Sequence, residues 1–448
     1  MNALILSVVS WKRWLANMVP MPNPAHSSSP GMLMNRLRAF MALAVLTCLC
    51  GTGAFAAATN FTWTGTTSTE WNLSTNWTPA GVPTSADNAI IPASPTGGRF
   101  PTISATSGTV AVRDLTVALG ATVTQTGGTL QMNHDWKNSG TYNATGGTIQ
   151  YSASGGGAAD YSLGTNNFFN VVIDAGVDPK FDNSAGSDVS VAGNFTNSNT
   201  GLNTGANATF RFNGTGTQTI TSASTGANTT FGNLVVNKVS GSAVLASIVH
   251  TAGTLTITNG TFDLASFNSS AGAVTLTSGT IAGTTGILTG TSYAVQSGTI
   301  SAILAGASAL TKTTAGTVTL SGVNTYTGVT TINAGVLSVG TIGNGGVAGN
   351  LGAANNGSAN LILGGGTLQY TGSTASTDRN YRLTAATTST IDVTSGGTTL
   401  TMSGASTNTT GALTKAGAGT LLQSGANLYT GLTTVSAGVL RHGINNAI

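Results

Sequence analysis

Residues 253–282 read GTLTITNGTFDLASFNSSAGAVTLTSGTIA, and this stretch decides the reading of its surroundings. In Gly253-Thr254-Leu255-Thr256-Ile257 the aliphatic residues point one way and threonine the other. Gly316-Thr317-Val318-Thr319-Leu320 repeats the arrangement. A period of two with β-branched residues throughout is the signature of a strand. Between the strands stand Thr258-Asn259-Gly260 and the run from Ser266 to Gly272, which supply the positive-φ positions of tight turns.

Within and beyond this stretch, Gly-Thr or Gly-Val followed by an apolar residue recurs at Gly108, Gly128 and Gly147, then at Gly260, Gly279, Gly298, Gly316 and Gly335. It returns at Gly419 and Gly438, and within each group the spacing is 18 to 20 residues. Helical spacing is absent after the leader. Short strands at a fixed period near 19 predict an all-β chain folded as a β-solenoid, one repeat per coil, with strands stacked ~4.8 Å apart. A sandwich lacks a constant period, and a propeller repeats at ~40–50 residues. From Ala57 onward the chain has room for roughly 20 such coils.

A longer repeat overlies the short one. Residues 310–340, LTKTTAGTVTLSGVNTYTGVTTINAGVLSVG, match residues 413–443, LTKAGAGTLLQSGANLYTGLTTVSAGVLRHG, at 19 of 31 positions without a gap. The shared positions include Gly316, Asn324, Tyr326, Gly328 and Gly335 in the first copy and Gly419, Asn427, Tyr429, Gly431 and Gly438 in the second. This motif resembles the autotransporter-associated β-strand repeat of secreted bacterial passenger regions. The resemblance implies a right-handed parallel β-helix of pectin-lyase-like architecture, exported across the outer membrane of a Gram-negative bacterium, usually through a C-terminal β-barrel. In this chain nothing near Ile448 alternates in ~10-residue amphipathic strands with aromatic girdles, so the expectation is of a reading frame cut short. Tyr326 and Tyr429 are expected to stack on a neighbouring coil.

The N-terminus reads as an export signal. From Met34 a basic segment, MNRLR, precedes the apolar run AFMALAVLTCLCG, and Ala54-Phe55-Ala56 forms an A-x-A site with cleavage expected after Ala56. The apolar run is short for a membrane span, which takes ~20 residues. Residues 34–56 are thus the signal peptide, and residues 1–33 an extended or mis-started leader. Both cysteines, Cys48 and Cys50, fall inside the apolar run, so the mature chain has no disulfide and no thiolate ligand or nucleophile.

Charge is scarce. Only 6% of the 448 residues are Asp, Glu, Lys or Arg, against roughly 25% in an ordinary soluble domain. Of fifteen basic residues, Lys12, Arg13, Arg36 and Arg38 lie in the leader, which leaves eleven against twelve acidic ones. No basic patch remains to bind nucleic acid. Residues 57–100 have a texture of their own, with Trp63, Trp71 and Trp77 close together. Aromatics capping the open first coil are the favoured reading, ahead of a platform for sugars. The solenoid proper is then 101–448.

Acid–base and nucleophilic catalysis need titratable groups brought together. His134-Asp135 is the one His beside a carboxylate, and strand neighbours point to opposite faces, so the pair is not expected to act jointly. Asp174, Asp178, Asp182 and Asp188, with Lys180, form the densest charged stretch. A solvated loop is the first reading, with calcium binding second and a lyase site third, because the spacing fits neither known calcium loop. Asp378-Arg379-Asn380-Tyr381-Arg382 reads as a charged surface turn. The resulting expectation is a non-enzymatic structural or adhesin-like surface protein, without cofactor or metal, whose partners are glycans, host cells or copies of itself. A polysaccharide-degrading lyase or hydrolase is the alternative.

Overall fold

A computed structural model describes residues 57–152, 161–162, 164–179, 181, 188–202, 204–223 and 229–443. The signal peptide with its Ala56 site, the leader, Lys180 and Asp182 lie outside these residues. The chain divides into two units, Met1–Ala57 and Ala58–Ile448, and every element below belongs to the second.

That unit is a parallel β-solenoid of about 15 turns, with coils of about 21 residues. One coil shows the principle. Strands Thr122–Gln125, Thr129–Met132 and Trp136–Asn138 follow one another around the turn. Each pairs in parallel with its counterpart one coil on: Thr122 with Thr141, Thr129 with Thr148, and Lys137 with Tyr161. Alternation decides which side chains enter. Leu130 and Met132 are buried while Thr129 and Gln131 face outward, and the same pattern runs through most strands. No α-helix occurs among the described residues.

The nineteen-residue period holds where the sequence displays it, with Thr261 paired to Thr280 and Thr280 to Thr299. Elsewhere coils widen. Phe195 stacks on Val171, Ile220 on Phe195 and Leu245 on Ile220, offsets of 24, 25 and 25. The widest coil carries Val336 to Thr367, an offset of 31. Core side chains follow the width. The 24- and 25-residue coils are filled by Phe195, Phe210 and Phe231, with ring centroids 5.1–5.8 Å apart. The nineteen-residue coils hold mainly Leu255, Ile257, Val274, Leu276 and Ile281. A longer perimeter encloses more cross-section, and close packing demands larger side chains to fill it.

At the N-terminal end, Asn60–Trp63 pairs in parallel with Asn88–Ile91 on one side and antiparallel with Trp77–Thr78 on the other. The antiparallel strand occupies the edge of that six-stranded sheet. Beneath it Trp63, Trp71 and Trp77 are at most 2% exposed and meet edge to face, with centroids 4.9–5.0 Å apart. Trp63 Nε1 donates to Arg99 O and Trp77 Nε1 to Trp71 O. Rings this deep offer no face to a sugar.

Candidate functional site

The repeat motif is built into the wall itself. Asn324 is fully buried; its Oδ1 accepts the Leu304 N–H of the preceding coil and its Nδ2 donates to Asn350 O. Asn427 in the second copy donates to Gly425 O and accepts the Tyr381 hydroxyl. Tyr326 and Tyr429 are buried with their hydroxyls 2.8 and 2.9 Å from Thr330 and Thr433, and the Tyr326 ring lies 6.2 Å from Tyr293 one coil back. Gly328 and Gly431 sit where a Cβ would lie 2.3 Å from Ser308 O and 2.2 Å from Gly411 O, so only glycine lets these coils approach. Gly335 and Gly438 turn the chain at φ +64° and +68°. Gly316 and Gly419 each precede a strand against the backbone or side chains of the previous coil.

Among the described residues, three lysines lie inside the solenoid. Lys312 and Lys415, at equivalent repeat positions, are fully buried, and both ammonium groups donate to turn carbonyls: Lys312 to Thr314 O and Ala334 O, Lys415 to Ala416 O, Gly417 O and Ala437 O. Lys238 donates to Gly214 O and Gln218 Oε1, both at 2.6 Å. Burial pushes the Lys238 ammonium down to about 8 and lowers the other two. The signal was present in Leu310-Thr311-Lys312, where strict alternation puts the lysine on the same side as the leucine.

The charged surface turn expected at 378–382 is not one. Arg379 is 3% exposed and inserts its guanidinium into the long loop of the 31-residue coil, donating to the carbonyls of Gly343, Val347, Gly352 and Ala354. Asp378 accepts the Gly345 N–H at 2.7 Å. Tyr381 is fully buried. Asp174 accepts from Gln150 Nε2 and Ser152 Oγ, whereas Asp178 and Asp188 are exposed.

Among the described residues the one group of three metal-ligating side chains lies elsewhere, at Asp114, His134 and Asp135. The expectation that His134 and Asp135 point to opposite faces fails here. Both residues lie in the turn after Thr129–Met132, where strand alternation does not apply, and His134 Nδ1 is 3.1 Å from Asp135 Oδ1. The third member comes from one coil back, with Asp114 Oδ1 at 2.8 Å.

The outer wall is largely polar, with few charges. One row runs Thr124, Asn143, Asn167 and Ser190 in direct parallel register and continues to Arg211. Beside it a groove of about 650 Å³ is lined by Leu119, Thr141, Asn167, Asp188 and Ser190 among others.

Comparison with known proteins gives two family matches: the passenger-associated transport repeat over residues 310–339 and 413–441, and a domain of unknown function over residues 62–154. Over 105 residues the chain is 46% identical to an adhesin, the BmaC autotransporter of Brucella suis biovar 1 (strain 1330). The overlap takes in 23% of this chain and spans only 3% of the length of that relative. No solved structure matches. The chain is thus a parallel β-solenoid that carries two passenger-associated transport repeats and is similar to an autotransporter adhesin.

Proposed function

We propose that this chain is a non-catalytic, adhesin-like passenger, displayed on or released from the surface of a Gram-negative cell after removal of a signal peptide at Ala56. The observation that carries the reading is the pair of passenger repeats, whose motif residues serve the coil-to-coil contacts of the wall. The outer face supports it. A polar row of Thr, Asn and Ser, continued by Arg211, presents repeated hydroxyl and amide groups, which suits hydrogen bonding to glycans, to host-cell surfaces or to another copy. Export machinery of the outer membrane is the partner the reading requires before any of these.

The test is display of the chain on a non-adherent bacterium through a heterologous outer-membrane barrel. Adherence to host cells or immobilised glycans is compared with that of cells carrying the barrel alone at equal surface density. A several-fold gain, without release of reducing or unsaturated sugars from polysaccharides, is expected. Polysaccharide cleavage without any gain in adherence would overturn the proposal in favour of a β-helix lyase or hydrolase.

A further inference from the structure

We propose that Asp114, His134 and Asp135 form a binding site for a zinc-type divalent ion that ties two successive coils together. Asp114 follows strand Thr109–Val112, and His134 and Asp135 follow strand Thr129–Met132, its partner one coil on. Leu115 N donates to Asp135 O at 2.9 Å, so the two turns are stacked backbone to backbone. Their side chains then converge: the Nδ1 of His134 and one oxygen each of Asp114 and Asp135 all lie within 4.8 Å of one another.

What holds these atoms inward is the occupation of the outer oxygens. Arg113 takes Asp114 Oδ2 at 2.8 Å, and Lys137 takes Asp135 Oδ2 at 2.7 Å. Each carboxylate is therefore fixed in rotation with Oδ1 turned toward the imidazole, the orienting role that outer cations and donors play around metal ligands. Asp114 Oδ1 also accepts the Asp135 backbone N–H at 3.0 Å, which ties the two turns together and leaves that oxygen a second lone pair. A dication would draw one lone pair from each of the three side chains.

The dimensions suit such an ion. Tetrahedral zinc bonds of about 2.0–2.1 Å place ligand atoms about 3.4 Å apart. His134 Nδ1 stands 2.8 and 3.1 Å from the two oxygens, so small side-chain rotations open the site. At 28% and 13% side-chain exposure the ligands can be reached by an ion, and water can complete the shell. One imidazole with two carboxylates favours zinc, whereas calcium takes six to eight oxygen ligands. The competing arrangement is an ion-pair network closed by Arg113 and Lys137 alone.

Equilibrium dialysis of the purified chain, free of any histidine tag and of bound metal, separates the two. The expected result is one zinc retained per chain, no calcium at equal concentration, and a melting temperature raised by zinc. His134→Gln and Asp114→Asn should weaken zinc binding at least a hundredfold. Arg113→Ala should weaken it about tenfold, the scale of a lost orienting contact. His250→Gln and His442→Gln should leave it unchanged, with far-UV circular dichroism checking every variant for fold. Wild-type chain that retains no stoichiometric zinc would overturn the proposal whatever the variants do, and so would zinc retention indifferent to His134→Gln in a folded variant.

Discussion

Lys238, Lys312 and Lys415 are cations enclosed by a wall in which charge is otherwise rare. Removing an ammonium from water is costly, and its donors must be satisfied inside, which the turn carbonyls do. The consequence is a pH dependence with a definite sign. Between pH 8 and the ordinary lysine value of 10.5, unfolded Lys238 holds a proton that the folded residue has released. Stability therefore rises with pH through that window and is flat below it. Buried tyrosines act the other way. Burial raises Tyr142 and Tyr381 and pushes Tyr326 up to about 12, so above pH 10 the unfolded chain ionises first and stability falls. Denaturant titrations should show stability climbing by about 2 kcal/mol from pH 8 to 9.5 and declining beyond 10, and Lys238→Met should remove most of the climb. A flat profile over that range would contradict the burial of this lysine.

The same scale shows what the sequence made legible. Leu-Thr-Lys alternation places Lys312 inside without a structure. His134 is different, because its decisive partner Asp114 stands twenty residues upstream and meets it only once coils stack. Adjacent residues in a turn also escape the strand rule that separates them. Arg379 gave no signal at all, since its four acceptors are carbonyls of a loop more than twenty residues away.

At the scale of elements, that loop makes the widest coil among the described residues, with an offset of 31. From one planar fork Arg379 donates to four carbonyls of a segment with little strand of its own, a geometry that lysine cannot copy. Arg379→Ala and Arg379→Lys should both expose residues 341–357 to limited proteolysis, with cleavage there at least tenfold faster than in the parent chain. Equal cleavage rates would show the loop to be held by something else. Coil contacts in the repeats are tighter still. Gly328→Ala forces a Cβ against Ser308 backbone and should cost about 1–3 kcal/mol, read as a lowered melting temperature. Gly346→Ala, where a Cβ meets nothing within 4 Å but φ is +80°, should cost less, about 1 kcal/mol.

Over the whole molecule, the period was legible wherever coils are shortest. Between Thr261 and Thr299 almost every residue belongs to a strand or a tight turn, so glycines fall in step. Between Val171 and Leu245 extra residues enter the turns and the period dissolves, although strands still pair in parallel. The phenylalanines of that region were the remaining clue, because a wider coil needs larger side chains to close its core. A ladder of about seven steps then connects Thr148 to Thr299 along one wall, at ~4.8 Å per step.

That ladder can be measured. Spin labels at Thr148→Cys and Thr299→Cys, in a chain with Cys48 and Cys50 replaced by serine, sit on outward-facing positions where they leave the core intact. Pulsed dipolar spectroscopy should give a single narrow distribution centred at about 35 Å, the rise of seven stacked coils. A distance below ~20 Å, as strands folded back on one another into a sandwich would give, or a broad spread without a peak, would contradict the solenoid.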